Sequence, residues 1–289
     1  MTDSNCVVSP AGVRSPRIIY GTAWKKLRTE GLVRRAIRLG FRGIDTACQP
    51  KHYHEAGVGA GVAACLGEGL GRGDLYLQTK FTPLSGQDPE RIPYDASAGP
   101  AEQVAQSFEQ SLRNLQTSYL DCLVLHSPVA DAEEMKAVWQ AMEAIVEAGG
   151  ARQIGISNCY SLETLQRLER SVRIKPAVVQ NRFYAQTGYD REIRAYCRQR
   201  GIIYQSFWTL TANPHLLAHD TMQSLASKYE RTPAQVLFRY LTQIDVVPLT
   251  GTSSPTHMRE DLQIFEFELA GSECETLSAL LGPEIRSSR

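Results

Sequence analysis

The segment Gln153-Ile154-Gly155-Ile156-Ser157-Asn158 is a short apolar run that ends in two polar residues. Ser161 then stands where a helix N-cap belongs, a helical pattern runs to Arg170, and Ala177-Val178-Val179-Gln180-Asn181 repeats the first arrangement. A strand covered on both faces is apolar throughout, and a helix between two such strands is the unit of a parallel sheet. Outward from this unit the same alternation recurs along the chain. Strands are predicted at 17–20, 42–44, 75–79, 120–125, 153–156, 177–179, 202–205 and 246–248. Eight strands close a barrel, so the expected fold is one (β/α)₈ barrel domain over residues 1–289, with extended loops at its C-terminal face.

The intervening helices carry the expected apolar stripes. Val104, Phe108, Leu112 and Leu115 share one face of a segment starting near Pro100. Met135, Val138, Trp139, Met142, Ile145 and Val146 do the same in the next. Thr232, Pro233 and Gln235 supply a cap, a first-turn proline and a capping-box glutamine before Val236. Residues 1–15 are expected to be irregular or disordered. One long stretch without periodicity, 81–98, follows the third strand and holds several Pro, Gly and Asp residues. It lies on the face where barrel active sites are built.

With 43% hydrophobic and 21% charged residues, the chain has enough apolar material for a sizeable core. Lys plus Arg equals Asp plus Glu at 31 each. That balance points away from nucleic acid and anionic membranes, and toward a small neutral or mildly polar partner. The seven cysteines are scattered and never spaced C-x-x-C, which argues against a disulfide framework or a thiolate zinc site. A reducing, cytoplasmic setting is expected. Oligomeric state is left open, because barrel exteriors carry no diagnostic interface motif.

Five consecutive strands end in polar residues: Asp45, Lys80, His126, Ser157 with Asn158, and Gln180 with Asn181. Singly, an Asp caps helices, a Lys snorkels and a His satisfies a structural bond. In a closed barrel, however, these strand ends converge on one mouth. With Tyr53 they form a coherent set for reducing a carbonyl. A phenol is a weak acid near neutral pH, but a buried ammonium stabilises the phenolate and lowers its pKa. Tyr53 would donate the proton, Lys80 would tune it, and Asp45 would hold Lys80. His126 would hydrogen-bond the substrate oxygen.

At this point the residues meet a family. Gly43-Ile44-Asp45-Thr46-Ala47, Thr79-Lys80, Leu125-His126-Ser127-Pro128 and Gly155-Ile156-Ser157-Asn158 closely resemble the aldo-keto reductases. Val179-Gln180-Asn181, Thr232-Pro233-Ala234-Gln235-Val236 and Glu260-Asp261-Leu262 continue the resemblance in the family's order. It runs from about Ile18 to Leu281. The resemblance implies a barrel that binds a nicotinamide dinucleotide without a Rossmann domain, and the Asp45, Tyr53, Lys80 and His126 tetrad in the roles above. It implies reduction of an aldehyde or ketone with NADPH, NADH being the alternative cofactor. Ser157, Asn158 and Gln180 match residues that bind the nicotinamide carboxamide, and Phe207 matches the residue that stacks on its ring. Trp24 and Trp208 would wall the substrate pocket.

Three departures from the family stand out. Tyr53 lies eight positions after Asp45 rather than about five, so 49–52 must loop out for the phenol to reach the site. The usual phosphate-binding Lys and Arg align with Gly251 and His257, leaving Thr252, Ser253 and Arg259 to hold the 2′-phosphate. The tail after Leu281 is short, so a more open pocket is expected, with 81–98 as its lid. Two glycine runs, Gly57 to Gly61 and Gly67 to Gly73, do not fit a dinucleotide fingerprint and read as helix and loop glycines. His52, His54 and Glu55 lack the H-E-x-x-H spacing, and no metal is expected. One rival reading is a nicotinamide-binding redox sensor resembling potassium-channel β subunits. Another is a barrel hydrolase or isomerase using His126 and Asp45, which leaves Lys80, Gln180 and Phe207 without a role.

Overall fold

Eight parallel strands close on themselves in the computed structural model, which describes residues 5–282. In chain order the strands are β1 (Cys6–Val8), β2 (Arg14–Pro16), β3 (Ile19–Gly21), β4 (Gly43–Asp45), β5 (Tyr76–Phe81), β6 (Cys122–Leu125), β7 (Ile154–Ser157), β8 (Val178–Arg182), β9 (Ile203–Phe207) and β10 (Val246–Thr250). Strands β3 to β10 form the barrel, each pairing with the next and β10 pairing with β3. Each predicted strand has a counterpart, its ends displaced by at most three residues. The helices are α1 (Thr29–Leu39), α2 (Glu55–Leu66), α3 (Pro100–Leu115), α4 (Ala132–Glu147), α5 (Leu162–Ser171), α6 (Arg191–Arg200), α7 (Pro214–Ala218), α8 (Asp220–Tyr229), α9 (Pro233–Gln243), α10 (Pro255–Leu262) and α11 (Gly271–Leu280). Ser161 caps α5 by accepting from the Thr164 amide, and Thr232 with Gln235 forms the capping box of α9.

Successive strand residues point to opposite faces, and this alternation sorts the core into two clusters. Ile19, Tyr76, Cys122, Val124, Val178, Ile203, Val247 and Leu249 fill the lower barrel interior. Tyr20, Ile44, Leu77, Leu123, Ile156, Val179 and Tyr204 face outward into the helical layer. Close packing demands small residues at two places. A Cβ on Gly155 would lie 2.6 Å from the Val178 carbonyl oxygen on the neighbouring strand. A Cβ on Gly59 would lie 2.8 Å from Leu115 Cα, so this glycine lets α2 approach α3. The Gly57 to Gly61 run is thus helix-packing sequence.

Residues 5–15 are ordered, contrary to the expectation for 1–15; residues 1–4 lie outside the described part. Strands β1 and β2 form an antiparallel hairpin, and Val7 and Val13 pack against the interior cluster. Pro16 also approaches Gly43 at the start of β4, which places the hairpin under the barrel. Two valines and a proline, too few to show a period, sufficed to plug that end.

The 81–98 stretch does not cover the mouth. Gln87 Nε2 donates to the Cys48 and Thr82 carbonyls, the Tyr94 hydroxyl donates to the Thr82 carbonyl, and Gln49 Nε2 donates to Gly86. These bonds fold the loop against the segment after β4. None of residues 81–98 borders the main cavity, so the stretch does not form the lid expected of it.

Candidate active site

A polar layer crosses the barrel above its apolar floor. Asp45 ends β4, Gln78 and Lys80 lie two apart on β5, and Gln180 and Gln205 occupy β8 and β9. Lys80 Nζ donates to both Asp45 oxygens, at 2.6 and 2.7 Å, and to the Thr46 carbonyl at 2.8 Å. All three ammonium hydrogens are therefore engaged. Asp45 Oδ1 also accepts from Gln78 Nε2 at 2.7 Å and from Gln180 Nε2 at 3.0 Å. Both charged groups are almost fully buried, which is tolerable only because each is paired and hydrogen-bonded.

Above this layer opens a cavity of about 840 Å³. Asp45 reaches its floor, and Tyr53, His126, Trp24 and Trp208 border it. Tyr53 arrives by a tight turn, in which the His52 and Tyr53 amides both donate to the Gln49 carbonyl. Its ring meets His126 edge-on at 5.9 Å between centroids, and Lys80 Nζ lies 5.4 Å from the ring centre. The phenol is not lowered in this arrangement. Burial first, and then the negative Asp45, hold Tyr53 well above the ordinary phenol range. Lys80 gives its hydrogen bonds to Asp45 and Thr46 and none to the phenol, so burial and Asp45 set the direction.

His126 Nδ1 sits 2.7 Å from the Thr82 hydroxyl. Desolvation, with smaller contributions from Lys80 and His52, pushes the imidazole down to about 3, so it is neutral at ordinary pH. Burial thus leaves Tyr53 protonated and His126 uncharged.

Ser157, Asn158, Gln180 and Phe207 border the same cavity. Ser157 Oγ donates to the Gln180 carbonyl, and Asn158 Nδ2 donates to the His126 carbonyl at 2.8 Å. Gln180 Nε2 bonds Asp45 and Gln205 Oε1, leaving the Gln180 Oε1 to accept from an incoming amide. Trp24, Asn158 and Trp208 have φ of 64°, 53° and 57°. Left-handed backbone at non-glycine residues costs about 1–3 kcal/mol each and concentrates at functional sites. All three residues stand at this mouth.

The far end of the cavity is bordered by Gly251, Thr252, His257 and Glu260. Ser253 and Arg259 are exposed and do not border it. Lys25, from the loop after β3, takes the vacant space instead. Its Nζ donates to the Gly251 carbonyl and stands 3.6 Å from the position a Gly251 Cβ would have.

Several side chains of the site escaped the sequence. Gln78 and Gln205 could have been found by counting back two residues from Lys80 and Phe207 along their strands. Thr82 and Lys25 sit on loops and carried no periodic signal. His52 borders the cavity, stacks on Trp24 at 3.8 Å and has a buried Nδ1 with no partner. Glu55 instead turns inward, accepting from Thr79 and Asn114. Among the described residues no three His, Cys, Asp or Glu side chains converge as metal ligands. No helix among them is long and apolar enough to cross a membrane.

Comparison with known proteins places this geometry. The sequence pattern of the Aldo/keto reductase family matches residues 19–281. A glyoxal reductase from Bacillus subtilis is 31% identical, the match covering 86% of this chain and 82% of that protein. A probable NAD(P)H-dependent D-xylose reductase from Aspergillus oryzae is 30% identical, covering 86% and 84%. The crystal structure of an aldo/keto reductase from Brucella melitensis superposes with a TM-score of 0.82 at 25% identity, covering 95% of this chain and 98% of that one. The chain belongs to the aldo/keto reductase family and is an NAD(P)H-dependent oxidoreductase.

Proposed function

We propose that the chain uses NADPH to reduce an aldehyde or ketone to an alcohol, with Tyr53 as the general acid. The observation that carries this reading is the buried Asp45–Lys80 pair directly beneath a cavity bordered by Tyr53, His126 and Phe207. The groove fits a nicotinamide dinucleotide. Gln180 keeps an acceptor for the carboxamide, Ser157 and Asn158 stand beside it, and Phe207 offers a ring for stacking. When bound, the nicotinamide supplies the hydride.

The chain's own residues manage the oxygen. Trp24 and Trp208 bound a site where a carbonyl is held between Tyr53 and His126. In the tautomer where Nδ1 accepts from the Thr82 hydroxyl, the His126 Nε2–H is free to bind the carbonyl oxygen. The Tyr53 hydroxyl then gives its proton to the alkoxide, and Lys80, 5.4 Å from the ring centre, stabilises the phenolate that remains. Solvent returns the proton. At the other end Lys25, Thr252 and His257 favour a 2′-phosphate, beside the N-terminus of α10. Glu260 on the same rim opposes it, so selectivity for NADPH over NADH is modest. Seven free thiols, six of them buried, support a reducing compartment such as the cytoplasm.

The test is the initial rate of NADPH oxidation with added aldehydes, read against pH. Because His126 is neutral and Tyr53 protonated across the range, kcat/KM should stay level from about pH 5.5 to about pH 8. Thr82→Val should lower it about tenfold at every pH, the worth of one hydrogen bond. A rate that collapses through an imidazole titration near neutrality contradicts the reading. The same depressed pKa makes stability fall in acid. Between the usual imidazole value and about 3 the unfolded chain binds the extra proton, so stability is lost as pH drops through that window.

A further inference from the structure

Arg182 ends β8 and borders the cavity, yet among the described residues no carboxylate or carbonyl pairs with its guanidinium. Its Nε is buried and has no hydrogen-bond partner. The guanidinium lies 4.3 Å from the Trp208 ring centre and 5.2 Å from that of Tyr184, so two aromatic faces hold it. A cation fixed by aromatic faces keeps its donors free for an anion in the ring plane. Strand alternation sets its height: Arg182 is two residues past Gln180, as Lys80 is two past Gln78 and Phe207 two past Gln205. Arg182 and Phe207 therefore stand above the Asp45–Lys80 pair, at the mouth. Asp45 in the layer below cannot serve as the counter-ion, since Lys80, Gln78 and Gln180 already hold it.

We propose that Arg182 binds an anionic group of the substrate, a carboxylate carried by the same molecule as the reacting carbonyl. This rests on the reductase reading for the carbonyl's place between Tyr53 and His126. A cofactor phosphate is the other source of the same chemistry, and the topology disfavours it. The path from Phe207 on β9 to Thr252 after β10 leads away from β8, so Arg182 stands on the opposite side of Phe207 from the phosphate end. Trp208, which holds the guanidinium, borders the same cavity, and the reductase reading gives it to the substrate.

The experiment compares 4-carboxybenzaldehyde with methyl 4-formylbenzoate, which has similar shape and no charge. The wild-type chain should favour the acid over the ester in kcat/KM by about tenfold to hundredfold, carried by KM, as expected for charge-assisted bonds to a guanidinium. Arg182→Met should bring that ratio close to one, and Arg182→Lys, which keeps the charge without the fork, should leave it between. No preference in the wild-type chain, or an unchanged ratio in Arg182→Met, overturns the proposal. So does an equal loss on both aldehydes with weaker NADPH binding, which would assign the cation to the cofactor. Calorimetric titration with 4-(hydroxymethyl)benzoate and its methyl ester separates the two readings. Binding of the acid but not the ester, lost in Arg182→Met, sustains the anion site even in a chain that reduces neither aldehyde.

Discussion

In Tyr53→Phe, turnover of every carbonyl substrate falls by about 10²- to 10⁴-fold, the usual worth of a positioned general acid. Nicotinamide dinucleotide binding should persist, because in the proposed arrangement the phenol oxygen faces the carbonyl and not the cofactor. The substitution removes one oxygen and keeps the ring, so the edge-on contact with His126 survives. A loss of rate then reports proton donation rather than packing. Steady-state kinetics with a parallel NADPH titration checks both halves. Full activity would move the acid elsewhere, with His52, stacked on Trp24 at the cavity wall, next to be examined.

Lys80→Met acts on stability and chemistry together. It leaves the buried Asp45 carboxylate with its two amide donors from Gln78 and Gln180 but without a counter-charge. Breaking a buried pair from one side costs about 3–5 kcal/mol. Adding Asp45→Asn removes the stranded charge, so the double variant should recover much of the stability, measured by denaturant unfolding. It should recover none of the turnover, because the phenolate left by proton transfer still lacks its cation. A double variant as unstable as Lys80→Met alone would show that the charge pair is not what holds the layer together.

The barrel was legible because its signals are periodic and repeated. Eight apolar runs, two capped helices and the polar strand ends all rest on residue spacing, which packing enforces at every turn. The hairpin under the barrel was missed because Cys6–Val8 and Arg14–Pro16 are too short to carry a period. The lid was wrongly expected at 81–98, since loop length says nothing about direction; the glutamines at 49 and 87 pin that loop aside. The Tyr53 pKa was misjudged for a different reason. Sequence places a cation near the phenol but does not reveal that Asp45 and Thr46 take all of its hydrogens. Likewise nothing in the sequence places Lys25 beside Gly251, which the fold does across the β10–β3 seam.

The mouth is expected to hold a nicotinamide dinucleotide. Two of the chain's three tryptophans, Trp24 and Trp208, border the cavity, so their fluorescence reports on its occupant. Titration of the purified chain with NADPH and, separately, NADH should quench that emission saturably, with NADPH acting at the lower concentration. Quenching by neither, at concentrations well above those that saturate ordinary nicotinamide enzymes, would mean that the mouth binds no nicotinamide dinucleotide.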